Sequence, residues 1–279
     1  DPGQKGPLLE RITLIRYNIG QDLGFVIPGV RVMDDLSLLP DQYLIEIRGT
    51  KVSVGEAKLG HHFVELPLSQ VKAKKLNGIE MRDPLSGDRG TWVPDDYLPQ
   101  LQKLGIAAKP PVDMISDHFS EIVMRYADEI MTRQNVQSLI ELVKNNNAAI
   151  VRELIPDLLS LGQVHKVLQL LVRERVSIRD LSTILERLAD YAHLSRDINI
   201  LAEYVRQSLA RQICEKYTDK EGVITVVTID PALEETMIGA IHQSEYGSFL
   251  AIDPNVGEKV LVQISGHLQN FKRLKLRPV

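Results

Sequence analysis

Cysteine occurs once in the 279 residues, at Cys214, so no intrachain disulfide is available. That scarcity fits a reducing compartment. Cys214 falls in a helical pattern and is predicted to be a buried structural thiol. Aromatic residues make up only 5% of a chain that is 44% apolar, so its cores are expected to rest on Leu, Ile and Val. No apolar run approaches the roughly 18 residues that a spanning helix needs. The chain as given is therefore expected to be soluble. Neither charge sign dominates: 33 basic residues face 37 acidic ones, for a net charge of -4. Their scattered placement excludes the basic face of a dedicated nucleic-acid binder. One basic run, residues 271–277, reads as a solvated helix-to-strand junction.

Signatures of bond chemistry are missing as well. There is no phosphate-binding G-x-x-x-x-G-K-[ST], no G-x-G-x-x-G and no G-x-S-x-G elbow. The histidines are His61, His62, His118, His165, His193, His242 and His267. None pairs with cysteine or another histidine at zinc-site spacing. His61 and His62 are neighbours, so a strand would send them to opposite faces. His165 stands beside Lys166 and is predicted to face solvent. The pairs Asp34-Asp35, Asp95-Asp96 and Glu234-Glu235 diverge on either a helix or a strand and have no nucleophile placed near them. They read as solvated carboxylates. The expectation is a protein that is no enzyme, with no metal and no cofactor.

What is present is helical patterning. In residues 133–192, Val164, Val167, Leu168 and Leu171 form one stripe, and Leu181, Ile184, Leu185 and Leu188 form another. Residues three and four apart share a helix face, so each stripe needs a packing partner. Ser177 and Asp180 between them read as a capping box. Residues 145–147, all Asn, mark a junction, and Pro156 predicts a kink or split. Upstream, residues 1–7 read as the end of a linker. An amphipathic helix with Leu8, Ile12, Ile15 and Ile19 follows. Val30 and Val32 alternate with polar neighbours and predict a half-buried strand. Residues 43–48 and 51–54 predict a hairpin turning at Gly49-Thr50. Turn signals crowd residues 66–111, leaving short strands and one helix over about 95–104, with Pro99 acceptable only in its first turn. Asp113 is the candidate N-cap of a long helix carrying Phe119, Ile122 and Val123. Residues 223–227, β-branched, predict a buried strand, followed by helices near 231–243 and 257–268.

The wording of these segments carries more than their periodicity. The order RQ-x-V-x-x-L, LIPDLLSLGQVHKVLQ, VSIRDLSTILE and LADYA is preceded by LGFVIPGVRVMDD, LPDQYLIEIRGTKVSVGE and GIEMRDPLSGDRGTWV, and followed by YVRQSLARQI and SEYGSFLAIDP. It resembles the FHIPEP export-gate family, the large subunit of type III export in flagella and injectisomes, over nearly the whole chain.

The resemblance implies an α+β multi-subdomain fold. Residues 1–61 plus 111–131 would form a mixed α/β subdomain 1. Residues 62–110 would be an inserted small α/β subdomain 2. Residues 132–217 would make a helical subdomain 3, and residues 218–279 a C-terminal α/β subdomain 4 that reads as truncated, with an open sheet edge and an exposed apolar flank. It also implies the cytoplasmic domain of a bacterial inner-membrane protein, assembled as a nonameric ring. That ring would receive export chaperone–substrate complexes and work beside other export-apparatus subunits, including the ATPase complex. The flagellar branch is slightly favoured over the injectisome, and a small-molecule enzyme or a purely structural oligomeric scaffold are the alternatives.

The family's chaperone pocket uses the motif D-P-x-[FY]-G-L-P. Here it reads Asp83-Pro84-Leu85-Ser86-Gly87-Asp88-Arg89. Asp83 matches the acidic residue, and Ser86 stands where the family has an aromatic ring. Asp117 replaces a family threonine ahead of the long helix, just before His118. Asp83, Leu85, Ser86 and Asp117 are thus the candidate partner-binding residues. Loss of the ring removes about 1.5–3 kcal/mol of burial, and Asp117 adds a second carboxylate to the rim. Read from the residues alone, Asp83-Pro84 is an ordinary turn start; the resemblance is what adds the partner-binding reading. Trp92, the only tryptophan, is expected to pack the inserted segment, with its N–H on one acceptor.

Overall fold

The computed structural model describes residues 6–244 and 247–274. The chain divides into two compact units, Asp1–Ala189 and Asp190–Val279. Among the described residues, no helix is long and apolar enough to cross a membrane.

The first unit opens with helix α1, Pro7–Leu23. Proline suits the first helical turn because its missing N–H has no partner there in any case. The helix buries Ile12, Ile19 and Leu23 and stops at Gly24, which is left-handed with φ 90°. The Gly24 amide donates to the Gly20 carbonyl. A Cβ on Gly24 would come within 2.5 Å of the Arg179 amide nitrogen. Glycine is therefore required twice, for the hand of the backbone and for close approach. The Ile178 amide donates to the Leu23 carbonyl at 2.8 Å, so the end of α1 is tied to this later segment.

Strands β1 (Gln42–Ile47) and β2 (Thr50–Glu56) form the predicted antiparallel hairpin. The turn sits at Arg48-Gly49, one residue earlier than the sequence suggested. Both residues have positive φ, at 52° and 77°, and that handedness matches the twist of the strands. The strand expected at Val30 and Val32 is not formed. Residues 26–35 are irregular, and Val30 and Val32 are exposed. Alternation favours a strand only where a neighbour receives its amides, and the sheet of β1 and β2 has two strands.

A second sheet has the order β3-β5-β4, from β3 (His61–Val64), β4 (Ile79–Arg82) and β5 (Arg89–Pro94), all antiparallel. Helices α2 (Leu68–Ala73) and α3 (Leu98–Lys103) belong to this lobe. Pro99 lies in the first turn of α3, where the helix tolerates it. Successive strand residues serve opposite faces. Val64, Val93, Val71, Leu76 and Leu101 fill one core. Phe63 and Trp92 fill the other with Met114. The Trp92 ring meets Phe63 edge-on at 5.4 Å, and its N–H donates to Met81 Sδ at 3.1 Å. The single tryptophan thus packs the lobe as expected.

Met114 belongs to α4 (Pro111–Arg125), whose N-cap is Pro110. Asp113 is not the cap. Pro111 presets the first helical φ two residues earlier, and Asp113 instead pairs with Arg11 of α1 at 2.7 Å.

Helices α5 (Ala127–Ile130), α6 (Arg133–Asn146), α7 (Ala148–Glu153), α8 (Leu161–Arg173) and α9 (Leu181–Ala192) follow. Capping boxes open α6, through Thr132 and Asn135, and α8, through Ser160 and Gln163. The box expected at Ser177 falls elsewhere: α9 starts at Leu181, and the Asp180 carboxylate accepts from the Thr183 amide. Asn147 separates α6 from α7 as predicted. Pro156 splits the next pattern, because the residue before a proline is pushed out of the helical region. Ile155 is extended, with φ −121° and ψ 125°. Both predicted stripes are buried: Val164, Val167, Leu168, Leu171, Ile184, Leu185 and Leu188 are fully inaccessible. His165 does not face open solvent. It is half-buried, with Nε2 3.0 Å from the Met131 carbonyl oxygen.

The second unit takes in the end of α9, α10 (Ile198–Ser208, capped by Asp197), α11 (Ala210–Tyr217), α12 (Pro231–Gly239), the hairpin β6 (Ile241–Ser244) with β7 (Gly247–Leu250), and α13 (Pro254–Leu274). Tyr191 and Tyr204 stack at 3.8 Å. Two expectations fail here. Cys214 is exposed, because α11 buries none of its residues. Residues 223–227 form no strand, and Val223, Val226 and Val227 are exposed. Their β-branched side chains suit a sheet, but among the described residues β6 pairs only with β7. Residues 1–5 of the predicted linker and residues 275–277 of the predicted helix-to-strand junction lie outside the described residues, and residues 271–274 end α13.

Candidate docking site

The segment joining β4 to β5 holds three of the four candidate residues. The Asp83 amide donates to the Asp88 carbonyl, and the Gly87 amide donates back to the Asp83 carbonyl, both at 2.9 Å. Gly87 has φ 70°, which glycine adopts without strain. The Asp83 carboxylate accepts from the amide of Leu85 at 2.7 Å and from that of Ser86 at 3.4 Å. The Ser86 hydroxyl accepts from the Asp88 amide. This is the local bonding by which aspartate starts a turn. Asp83 is accordingly buried, Leu85 is half-buried and Ser86 is exposed.

Asp117 lies on α4 and is exposed. Lys109 bridges it to Glu65, with Nζ 3.4 Å from Asp117 and 3.2 Å from Glu65. Burial pulls the Lys109 ammonium down, but the two carboxylates outweigh it and leave its pKa raised. Asp117 is thus a surface carboxylate with a cation against it. The described contacts do not join Asp117 directly to the Asp83 turn.

Beside Asp117, His118 is 1% exposed. Its Nδ1 is 2.7 Å from the Tyr43 hydroxyl and its Nε2 is 2.8 Å from Ser53 Oγ. The Tyr43 ring meets the imidazole edge-on at 5.6 Å. Gly55, opposite Tyr43 across the hairpin, leaves room for the hydroxyl; a Cβ there would overlap it. Burial, and then the Asp83 charge, push the Tyr43 phenol well above its ordinary value. Burial holds the His118 imidazole below its ordinary value; Asp83 opposes that drop and Arg125 adds to it. The Asp83 carboxylate therefore acts on both groups.

Sequence reasoning missed this network. Ser53 and Tyr43 lie 65 and 75 residues from His118, so no local spacing reveals it. Ser53 and His118 stand at the distance of a nucleophile and its base. The base's second nitrogen, however, is held by a phenol, and the Asp83 carboxylate is engaged by its own turn. A separate concavity of about 540 Å³ is lined by Arg16, Tyr17, Phe25, Ile27, Leu139 and Arg179 among others, and its lining includes no carboxylate and no histidine. Among the described residues, no group of His, Cys, Asp and Glu is placed to hold a metal ion.

A mixed α and β chain of small packed lobes is the class these elements define. The chain belongs to the FHIPEP family, whose model matches residues 1–279. The flagellar biosynthesis protein FlhA of Bacillus subtilis is 35% identical over 277 residues, covering 99% of this chain and 40% of that protein. The chain thus spans about two fifths of the length of the curated relatives it matches. CdsV of Chlamydia pneumoniae, also solved in complex with CdsO, superimposes with a TM-score of 0.80 at 30% identity, covering 92% of this chain and 74% of that one. The nonameric EPEC SctV-C shares the fold, with a TM-score of 0.72 at 23% identity over 96% of this chain and 79% of that one.

Proposed function

We propose that this chain is a cytoplasmic docking platform and ring-forming part of a type III export gate, in the flagellar branch, at the inner membrane of a bacterium. It receives chaperone–substrate complexes and passes them toward the membrane channel. The observation that carries this reading is the family match over the whole chain, together with 35% identity to a flagellar biosynthesis protein. The nonameric form of EPEC SctV-C supports a ring, and the CdsV–CdsO complex supports contact with a second protein.

Docking would fall on the turn after β4 and on α4 around Asp117. Leu85 and Ser86 offer the contact surface, Asp117 offers exposed charge, and Asp83 holds the turn and backs it with a second carboxylate. With Ser86 in place of a ring, apolar anchoring is smaller, and a partner that adds cations at the rim is favoured. The division into subdomains at 1–61 plus 111–131, 62–110, 132–217 and 218–279 belongs to the same proposal, with the third packed by the buried α8 and α9 stripes.

Capture of cognate chaperone–cargo complexes tests the reading. The unaltered protein is expected to retain them, and Asp83→Ala to lose at least about tenfold in affinity, since a charged hydrogen-bonded group contributes about 1.5–3 kcal/mol. Ring assembly is expected to survive that change. Full retention of the complexes by a folded Asp83→Ala variant contradicts the assignment and leaves a scaffold role.

A further inference from the structure

His118 is the buried titratable group that docking leaves unused; it stands one helical turn beyond Met114 on α4, and Met114 shares a core with Met81 of β4, two residues before Asp83. A neutral imidazole presents one donor and one acceptor. Two hydroxyls flank it, and each can play either part, so Tyr43 and Ser53 satisfy the neutral ring in either tautomer. Three elements meet at this ring: β1 through Tyr43, β2 through Ser53, and α4 through His118 itself. The groups acting on it electrostatically are Asp83 from the turn and Arg125 from its own helix. The Tyr43 phenol, pushed upward, stays neutral across the physiological range.

A charge on the ring alters this balance. An imidazolium donates from both nitrogens and attracts the Asp83 carboxylate. That same carboxylate receives the amides of Leu85 and Ser86. The attraction competes with the two hydrogen bonds that shape residues 83–88.

We propose that His118 is a positioning residue for the docking turn: its neutral ring locks the β1–β2 hairpin against α4, and its protonation draws Asp83 away from the turn amides and loosens residues 83–88. This rests on the docking reading above and adds pH control to it. The sign follows from the direction of the shift. A histidine held below its ordinary value in the folded state contributes stability that is complete above that ordinary value, about 6.5. The contribution is lost as pH falls through the depressed folded value. The turn is therefore ordered at neutral pH and loosens on mild acidification.

The test follows the His118 ring by NMR from pH 7.5 downward, beside amide exchange at Leu85 and Gly87, in the unaltered chain and in His118→Gln. Glutamine keeps one donor and one acceptor but does not titrate. His118 is expected to titrate below the ordinary imidazole value. Protection at Leu85 and Gly87, corrected for intrinsic exchange, is expected to fall severalfold with the same midpoint, and to stay flat in His118→Gln. The coincidence of midpoints in the unaltered chain is decisive even if the variant does not fold. Titration of His118 at or above the ordinary imidazole value, turn protection that ignores the His118 midpoint, or an unchanged pH response in a folded variant overturns the proposal. Chaperone–cargo capture at pH 7.5 is scored separately. Its failure would remove the docking role while leaving the coupling of ring and turn to stand or fall on its own midpoint.

Discussion

Trp92→Ala is expected to destabilise the first unit by about 3–5 kcal/mol, the range for truncating a large buried aromatic. The side chain is fully inaccessible and shares a core with Phe63 and Met114. Met114 comes from α4, so the ring joins the β3-β5-β4 sheet to the helix that also carries His118. Its removal leaves a cavity that the strands cannot close, because Gly90 already sits against Phe63 with no space for a Cβ. A loss of this size is a large part of the roughly 5–15 kcal/mol that a domain possesses. The indole N–H, by contrast, meets only a thioether, a weak acceptor. Trp92→Phe should therefore cost much less than Trp92→Ala. Urea unfolding followed by circular dichroism measures both, and a loss under about 1 kcal/mol for the alanine variant would contradict the packing described, since surface substitutions fall in that range.

Gly24→Ala should cost roughly 2–5 kcal/mol, from about 1–2 for a left-handed backbone and about 1–3 for overpacking. The two parts can be separated. Gly105 also has positive φ, at 65°, but a Cβ there meets nothing within 4 Å. Gly105→Ala is thus expected to show the backbone part alone. The excess at Gly24 measures the close approach between the end of α1 and the segment at Arg179. Both variants are read as shifts in urea midpoint at unchanged slope. Equal losses at the two positions would mean that this approach contributes nothing.

These positions also mark where sequence reasoning succeeds. The α8 and α9 stripes are legible because helix packing is written at spacings of three and four, and the strongest apolar faces are the fully buried ones. The hairpin is legible because its turn needs positive φ at two central residues and Gly49 supplies one of them. The Asp83 turn is legible because aspartate bonds amides two and three residues ahead. Failures arise where the outcome depends on a distant partner. Val30, Val32 and residues 223–227 have the composition of strands, yet a strand exists only where another strand accepts it. Cys214 and His165 lie in clear helical patterns, but the pattern does not say how fully each face is covered. The His118 network joins residues from the hairpin and from α4, and each hydroxyl is unremarkable in its own segment. Asp117 was placed through family wording and is exposed beside that network, which periodicity alone had no means to indicate.

The proposed docking role requires the chain to present shaped, non-reactive surface to other proteins around the turn after β4. The most direct measurement is photo-crosslinking in export-competent cells from a probe placed at exposed Ser86, in the full-length protein. Covalent capture of chaperone–cargo complexes from Ser86 is expected, lost on Asp83→Ala while the ring persists. Undiminished export with no such adduct at Ser86 would contradict it.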